Sequence, residues 1–217
     1  MSSSSSISTL SSESSNPNAR AKIRQQVRER RRNLTHDEQK QASIDLISQV
    51  KQLPELASCQ HIALYLAQDG ELDTKPLIDW LWQQGKHIYL PVIHPFSKGQ
   101  LLFVRYQAET ALVSNQYKIL EPPLDVTKLC PQAQMDLIFS PLVAFDPTGQ
   151  RLGMGGGYYD RYFEYFNGHK IGLAHDCQCV AALETCAWDQ PLDKIITPSQ
   201  HFLGATNESI AKGVEVH

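Results

Sequence analysis

Residues 136–166 read DLIFSPLVAFDPTGQRLGMGGGYYDRYFEYF, and this stretch sets the fold class. Asp136–Phe139 continues through Pro141 to Leu142–Phe145 as an apolar strand with a break. Four glycines, Gly153, Gly155, Gly156 and Gly157, then fall within five residues. A helix is predicted over about 158–167, where Tyr159, Tyr162, Phe163 and Phe166 recur at i, i+3, i+4 and i+7, the spacing of a buried stripe. A strand that runs into a glycine loop and then a helix belongs to an α/β sheet, in which ligands gather at the carboxyl ends of strands.

The same alternation extends upstream. HIALYL (61–66) and His87–Val92 are short apolar runs of strand type, with a helix over Pro76–Gln84 between them, closed by Gly85. Leu101–Tyr106 is a further strand, residues 107–134 are irregular, and Lys170–Ala174 and Lys194–Thr197 supply the remaining strands. Two helices precede the first strand: a basic one over 19–32, and one over about 36–52 opened by Thr35 and Glu38 as a capping box. The expectation is a single-domain α/β sheet, mostly parallel, with helices on both faces in a Rossmann-like layering and a basic helix at its N-terminal side. That domain is expected over 19–205, after a disordered Ser-rich tail over 1–18 and before a flexible end over 206–217.

Composition narrows the function. No stretch approaches the ~18 consecutive apolar residues of a membrane helix, and the first 18 residues lack the basic start and apolar segment of a secretory signal. Five cysteines, an odd number in a chain of 217 residues, fit a reducing, cytoplasmic compartment. Cys177 and Cys179 read as ordinary thiols, since no further zinc ligands follow at suitable spacing. Residues 20–32 hold seven of the 20 Lys and Arg, whereas the remainder carries 13 basic and 22 acidic residues. A cationic segment on an acidic body is a poor profile for a general nucleic-acid binder.

The glycine loop carries the strongest chemical signal. Glycine permits positive φ and removes side-chain bulk, so successive N–H groups can converge on an anion. The loop is neither a Walker A sequence nor a dinucleotide fingerprint. Arg151 and Asp160 flank it, one suited to phosphate and the other either to the first helical turn or to a phosphate-bound cation.

RLGMGGGYYDR (151–161), preceded by PLVAFDPTG (141–149), resembles the signature of the 5-formyltetrahydrofolate cyclo-ligase family, and the likeness covers about residues 19–200. The resemblance implies ATP and Mg²⁺ as co-substrate and cofactor. It implies phosphate contacts from Arg20, Lys22 and Arg24 and from the run Arg151, Leu152, Gly153, Met154, Gly155, Gly156, Gly157, Tyr158 and Tyr159. Arg20 and Arg24, four residues apart, share a helical face. It implies a folate site of Leu66, Glu71, Met154, Gly155, Gly156, Gly157 and Tyr158, with catalytic roles at Arg151 and Tyr158. It implies metal ligation by Asp160 and by Asp189, with Asp193 as rival. Tyr117 lies where related proteins stack an aromatic ring on the folate, and Asp69 and Asp73 compete with Glu71 for its place. Some members carry basic side chains where this chain has Met154 and Gly156, so its loop relies more on backbone N–H groups and Arg151.

The reaction so implied converts 5-formyltetrahydrofolate and ATP into 5,10-methenyltetrahydrofolate, ADP and phosphate through a phosphorylated imidate. It needs positioning and charge neutralisation rather than a covalent nucleophile. The expected protein is a monomer that takes small-molecule substrates, without nucleic acid or membrane. The alternatives are a non-catalytic nucleotide- or phosphate-binding α/β protein and a nucleic-acid binder that uses the basic helix as an arm.

Overall fold

The computed structural model describes residues 17–204. The tail expected over 1–18 and the end expected over 206–217 thus fall almost wholly outside the described residues. Helix α1 (Pro17–Arg32) already includes residues 17 and 18. The buried Val27 and the half-buried Ile23 pack α1 against Val143, Ala144 and Leu152. Arg20, Arg24 and Arg31 fall on the same side of the helix at spacings of four and seven, so its inward stripe is largely cationic. Helix α2 (His36–Val50) follows, with the capping box in place: Glu38 N–H donates to Thr35 Oγ1 (3.2 Å) while the Glu38 carboxylate accepts from Thr35 N–H (2.7 Å).

The central sheet has seven strands. The strands are β1 (His61–Ala63), β2 (His87–Ile93), β3 (Leu101–Arg105), β6 (Leu137–Pro141), β9 (His169–Leu173), β10 (Lys194–Ile196) and β11 (His201–Leu203). Their order is β11-β10-β9-β6-β1-β2-β3; the inner pairs are parallel and the two edge pairs antiparallel. The expectation of a mostly parallel sheet holds. The antiparallel edge strand β11 adds an element after Lys194–Thr197, which the sequence reading took as the last strand.

Strand alternation sends side chains to two cores. Ile62, Ile88, Leu90, Leu137, Phe139, Ile171 and Ile196 face α2 and α3 (Lys75–Gln83), meeting Leu46, Val50, Leu77, Ile78 and Leu81. Ala63, Tyr89, Phe103, Ile138 and Ile195 face the other way, onto Tyr162, Phe163 and Phe166 in and just after α4 (Tyr158–Phe163). Helices therefore cover both faces, and none of the described helices is long and apolar enough to cross a membrane.

Two small hairpins depart from the sequence reading, and both border the same end of the sheet. β4 (Val113–Ser114) and β5 (Leu120–Glu121) pair within the segment expected to be irregular. β7 (Ala144–Phe145) and β8 (Arg151–Leu152) pair across the turn that follows β6, so the apolar run ending at Phe145 leaves the main sheet at Pro141. Pro141 lacks the N–H that a continuing central strand would donate. The buried Asp146 shapes the second hairpin: its carboxylate accepts from Thr148 N–H (2.9 Å), Thr148 Oγ1–H (2.6 Å), Gln150 N–H (3.2 Å) and Leu183 N–H (2.9 Å). Helix α4 ends at Phe163, earlier than the 167 expected, because Phe166 packs from beyond its last turn.

Asp146→Ala removes the acceptor for four donors. It should cost about 3 kcal/mol and lower the melting temperature by roughly 6–12 °C, measured by thermal unfolding followed by circular dichroism.

Candidate active site

The carboxyl ends of β1, β2 and β6 open into a cleft of about 870 Å³. Its floor is the glycine loop. Gly155 (φ +99°) and Gly157 (φ +64°) hold backbone conformations that a branched residue cannot take without strain. Arg24 reaches over from α1 to donate from Nε to Gly153 O (2.8 Å). Arg161 fastens the far side of the loop, donating to Gly99 O (2.9 Å) and to Gly156 O. The loop is thus gripped by two guanidiniums.

Arg151 enters from β8, where alternation sends it opposite to Leu152. Its guanidinium is buried, pairs with Asp160 and lies 5.4 Å from the centre of the Phe163 ring. Burial pulls its pKa below the usual arginine value, opposed by the neighbouring Asp160. Arg151 Nε and Tyr159 Oη are buried polar atoms without a hydrogen-bond partner. Both residues line the cleft, so each has bonding capacity in reserve for a ligand.

Arg20 forms a two-pronged pair with Asp189 (2.7 and 3.0 Å) and also donates to Cys186 Sγ (3.0 Å) and Glu184 O (3.1 Å). The bond to Asp189 raises its pKa. Asp160 and Asp189 therefore border one cleft, each already held by a guanidinium. Among the described residues no group of three or more His, Cys, Asp or Glu side chains is placed to hold a metal ion. The donors that remain are two hard carboxylates, which suit Mg²⁺ only if phosphate and water complete its shell.

Glu71 sits on the loop after β1. That loop is drawn tight by Thr74 Oγ1–H donating to Tyr65 O and Tyr65 Oη–H donating to Leu72 O (3.3 Å). Burial lifts the Glu71 carboxyl from its ordinary 4.5 to about 7, although Arg31, 3.8 Å away, pulls it down.

Most residues singled out from the sequence meet here: Arg20, Arg24, Leu66, Glu71, Arg151, Gly153 to Gly157, Tyr158, Tyr159, Asp160 and Asp189. Two do not. Lys22 points to solvent from the opposite side of α1, half a turn from Arg20 and Arg24. Leu152 is buried against Val27 and Val143, because it alternates with Arg151 in β8. Asp193 lies away from the cleft, its carboxylate accepting from Lys170 N–H (2.8 Å) beside the sheet. Asp73 accepts from Lys75 N–H (2.9 Å). His94 holds a turn, accepting from Phe96 and Ser97 N–H. Tyr117 reaches the cleft, its hydroxyl 3.3 Å from that of Tyr158. Residues that the sequence did not reveal are Asn115, Ile119, Leu120 and Glu121 of the β4–β5 hairpin, Tyr65, and the exposed Trp188. Two-residue strands give no periodic signal, whereas Trp188, directly before Asp189, was open to suspicion.

The model of the 5-formyltetrahydrofolate cyclo-ligase family matches residues 16–198. This chain belongs to that family. It is similar to the 5-formyltetrahydrofolate cyclo-ligase of Escherichia coli (strain K12), 46% identical over 177 residues, spanning 80% of this chain and 97% of the relative. The cyclo-ligase of Haemophilus influenzae is 45% identical over 184 residues, 83% of this chain and 98% of the other. The solved structure of Aquifex aeolicus 5,10-methenyltetrahydrofolate synthetase superposes with a TM-score of 0.75 at 30% identity, covering 91% of this chain and 96% of that one. The matched range contains every residue that lines the cleft.

Glu71 gives the cleft a pH signature. Its folded pKa lies above its unfolded one, so between pH 4.5 and about 7 the folded chain binds more protons than the unfolded. Stability from this group falls as pH rises through that window, by about 3 kcal/mol in full. Glu71→Gln should melt at a higher temperature than the wild type at pH 8, and the difference should vanish at pH 4.5. Parallel melting curves across that range would contradict the assignment.

Proposed function

We propose that this chain catalyses the ATP-dependent closure of 5-formyltetrahydrofolate to 5,10-methenyltetrahydrofolate, releasing ADP and phosphate. The observation that carries the reading is the meeting, in one cleft, of a glycine loop flanked by Arg24 and Arg151 with the buried acid Glu71. The loop N–H groups and the guanidiniums suit a triphosphate, and the carboxylate suits the donor edge of a pterin.

The formyl oxygen attacks the γ-phosphate, because an amide oxygen must be phosphorylated before it can leave. The neighbouring amine nitrogen then adds to the activated carbon, loses its proton, and phosphate departs. The protein's part is to hold the two substrates in line and to offset developing negative charge on the transferred phosphoryl oxygens. Arg20, Arg24, Arg151 and the loop amides would take the phosphates. Leu66, Glu71, Met154 and Tyr158 would line the folate, with Tyr117 over its ring. Asp160 and Asp189 would hold Mg²⁺, which supplies positive charge to the phosphates when bound. Arg20 and Arg151, now on those carboxylates, would turn to phosphate in exchange.

The basic helix is accounted for within the fold: Arg20, Arg24, Arg28, Arg31 and Arg32 all bond to the chain itself. That use argues against an arm for nucleic acid. A monomer is the expected form, and the buried thiols Cys59 and Cys130 suit a reducing, cytoplasmic compartment.

The direct test is turnover of 5-formyltetrahydrofolate with ATP and Mg²⁺, followed by the near-ultraviolet absorbance of the methenyl product. Product that requires both additions is expected; a folded protein giving none would overturn the reading. Gly155→Val should lower turnover at least 100-fold while the fold persists, since valine cannot adopt φ +99° without strain. Arg24→Ala should raise the KM for ATP at least about tenfold, the worth of a charge-assisted hydrogen bond, with the KM for folate nearly unchanged.

A further inference from the structure

Asp69, a rival of Glu71 in the sequence, lies two residues before it and also lines the cleft, where its carboxylate is taken up by arginines. Its surroundings are unusual. Its carboxylate accepts from Arg28 Nε (2.6 Å), from Arg31 (3.0 Å) and from Arg32, and its carbonyl accepts from Arg31 Nε (2.9 Å). Three guanidiniums from the last turns of α1 thus close on one residue. Despite partial burial, which acts the other way, those bonds hold Asp69 below the usual aspartate range.

The backbone is arranged for the same purpose. Asp69 (φ +53°) and Gly70 (φ +74°) form the centre of a turn closed by Glu71 N–H donating to Gln68 O (2.9 Å). Positive φ at a non-glycine residue costs roughly 1 kcal/mol, and the surrounding bonds offset it. A Cβ on Gly70 would stand 3.2 Å from Arg31 O, so the end of α1 lies directly on the turn. Glu71 closes the turn from the other side, its carboxylate accepting from Gln68 N–H (3.1 Å).

Arg31 is the link. It is fully buried, and the two carboxylates within ion-pair reach are Asp69 at 3.0 Å and Glu71 at 3.8 Å. While Asp69 holds the guanidinium, Glu71 stays at a distance from it and faces the cleft. Without the Asp69 charge, the buried Arg31 would have Glu71 as its remaining carboxylate, and a buried cation draws in the counter-charge it has.

We infer that Asp69 is a positioning residue for the folate site, holding Arg31 away from Glu71 so that the Glu71 carboxylate is presented to the substrate. The inference rests on the cyclo-ligase reading above. It assigns a use to the C-terminal arginines of α1 that is separate from phosphate binding. The charged and titratable groups facing Glu71 are Arg28 and Arg31 from α1, Asp69 from its own turn, Tyr65 beyond β1, Tyr159 from α4 and His175 beyond β9. Of these, Asp69 and Arg31 act in opposite directions on the Glu71 charge, which makes the test directional.

Asn tolerates the left-handed backbone and keeps the shape of Asp, so Asp69→Asn removes the charge and one of the two acceptor oxygens while sparing the turn. Its kcat/KM for 5-formyltetrahydrofolate is measured from pH 5.5 to 8.5, with thermal melting as a check on folding. At pH 8 the KM for folate should rise about tenfold while the KM for ATP stays within about twofold. The acid limb of the profile should move to lower pH by about one unit, because Arg31 and the released Arg28 and Arg32 favour the ionised Glu71. Arg32→Gln, at an exposed side chain whose loss leaves the helix intact, should move the limb the other way. That variant decides the matter should Asp69→Asn fail to fold. Opposite shifts support the inference. Limbs that move together or stay in place, or a loss in kcat shared by both substrates, would reduce Asp69 to a structural contact. Wild-type protein that forms no product would instead overturn the cyclo-ligase reading, and this inference with it.

Discussion

A buried guanidinium must be met by acceptors, and the arrangement of this cleft depends on how Arg31 is met. Its donors reach Asp69 on the loop after β1 and Leu142 at the end of β6, with Glu71 just beyond. β1 and β6 are neighbours at the middle of the sheet. One side chain therefore ties α1 to the carboxyl ends of two central strands, where an α/β sheet takes its ligands. An uncompensated charge at that depth would cost several kcal/mol, so the helix has little freedom to rotate or slide. Arg20 lies eleven residues earlier on the same rod, about 16 Å along its axis at 1.5 Å per residue. Arg20 and Arg24 inherit their positions in the cleft from the end of the helix that lies beside Glu71.

The rest of the cleft follows the same rule of paired charge. Arg20 stands on Asp189 and Arg151 on Asp160, each pair shielded from water. Such pairs add little net stability, because desolvation offsets their attraction. Each pair leaves the local charge balanced, so the cleft carries no isolated buried ion at these two places. Arg151 Nε and Tyr159 Oη are the buried cleft atoms that have no hydrogen-bond partner.

The sheet was legible in the sequence because apolar strands buried on both faces leave continuous runs, and HIALYL and Asp136–Phe139 are such runs. The glycine loop was legible because four glycines have few other uses. What escaped reading depended on contacts between distant segments. The hairpin of β4 and β5 has two residues per strand and takes its place only by leaning over the cleft. The break at Pro141 was visible, but the turn into β7 and β8 depends on Asp146 finding the N–H of Leu183, 37 positions later. No local pattern in the arginine run at 28–32 shows that Asp69 will gather three of them. Lys22 and Leu152 were drawn into the expected site by nearness in sequence, whereas helical and strand periodicity turn them away from it.

Burial pushes the Cys130 thiol up to about 11 and raises Cys59 and Cys179, and none of these three sulfurs lines the cleft. The cleft carboxyl pushed above its ordinary range is Glu71, and its raised pKa is a cost carried by the fold. A ligand that donates hydrogen bonds to the carboxylate binds its ionised form and must displace the proton where one is present. Affinity for such a ligand therefore rises with pH through the window in which the empty protein loses stability. Both trends express one free energy, the cost of a buried carboxylate waiting for its donors.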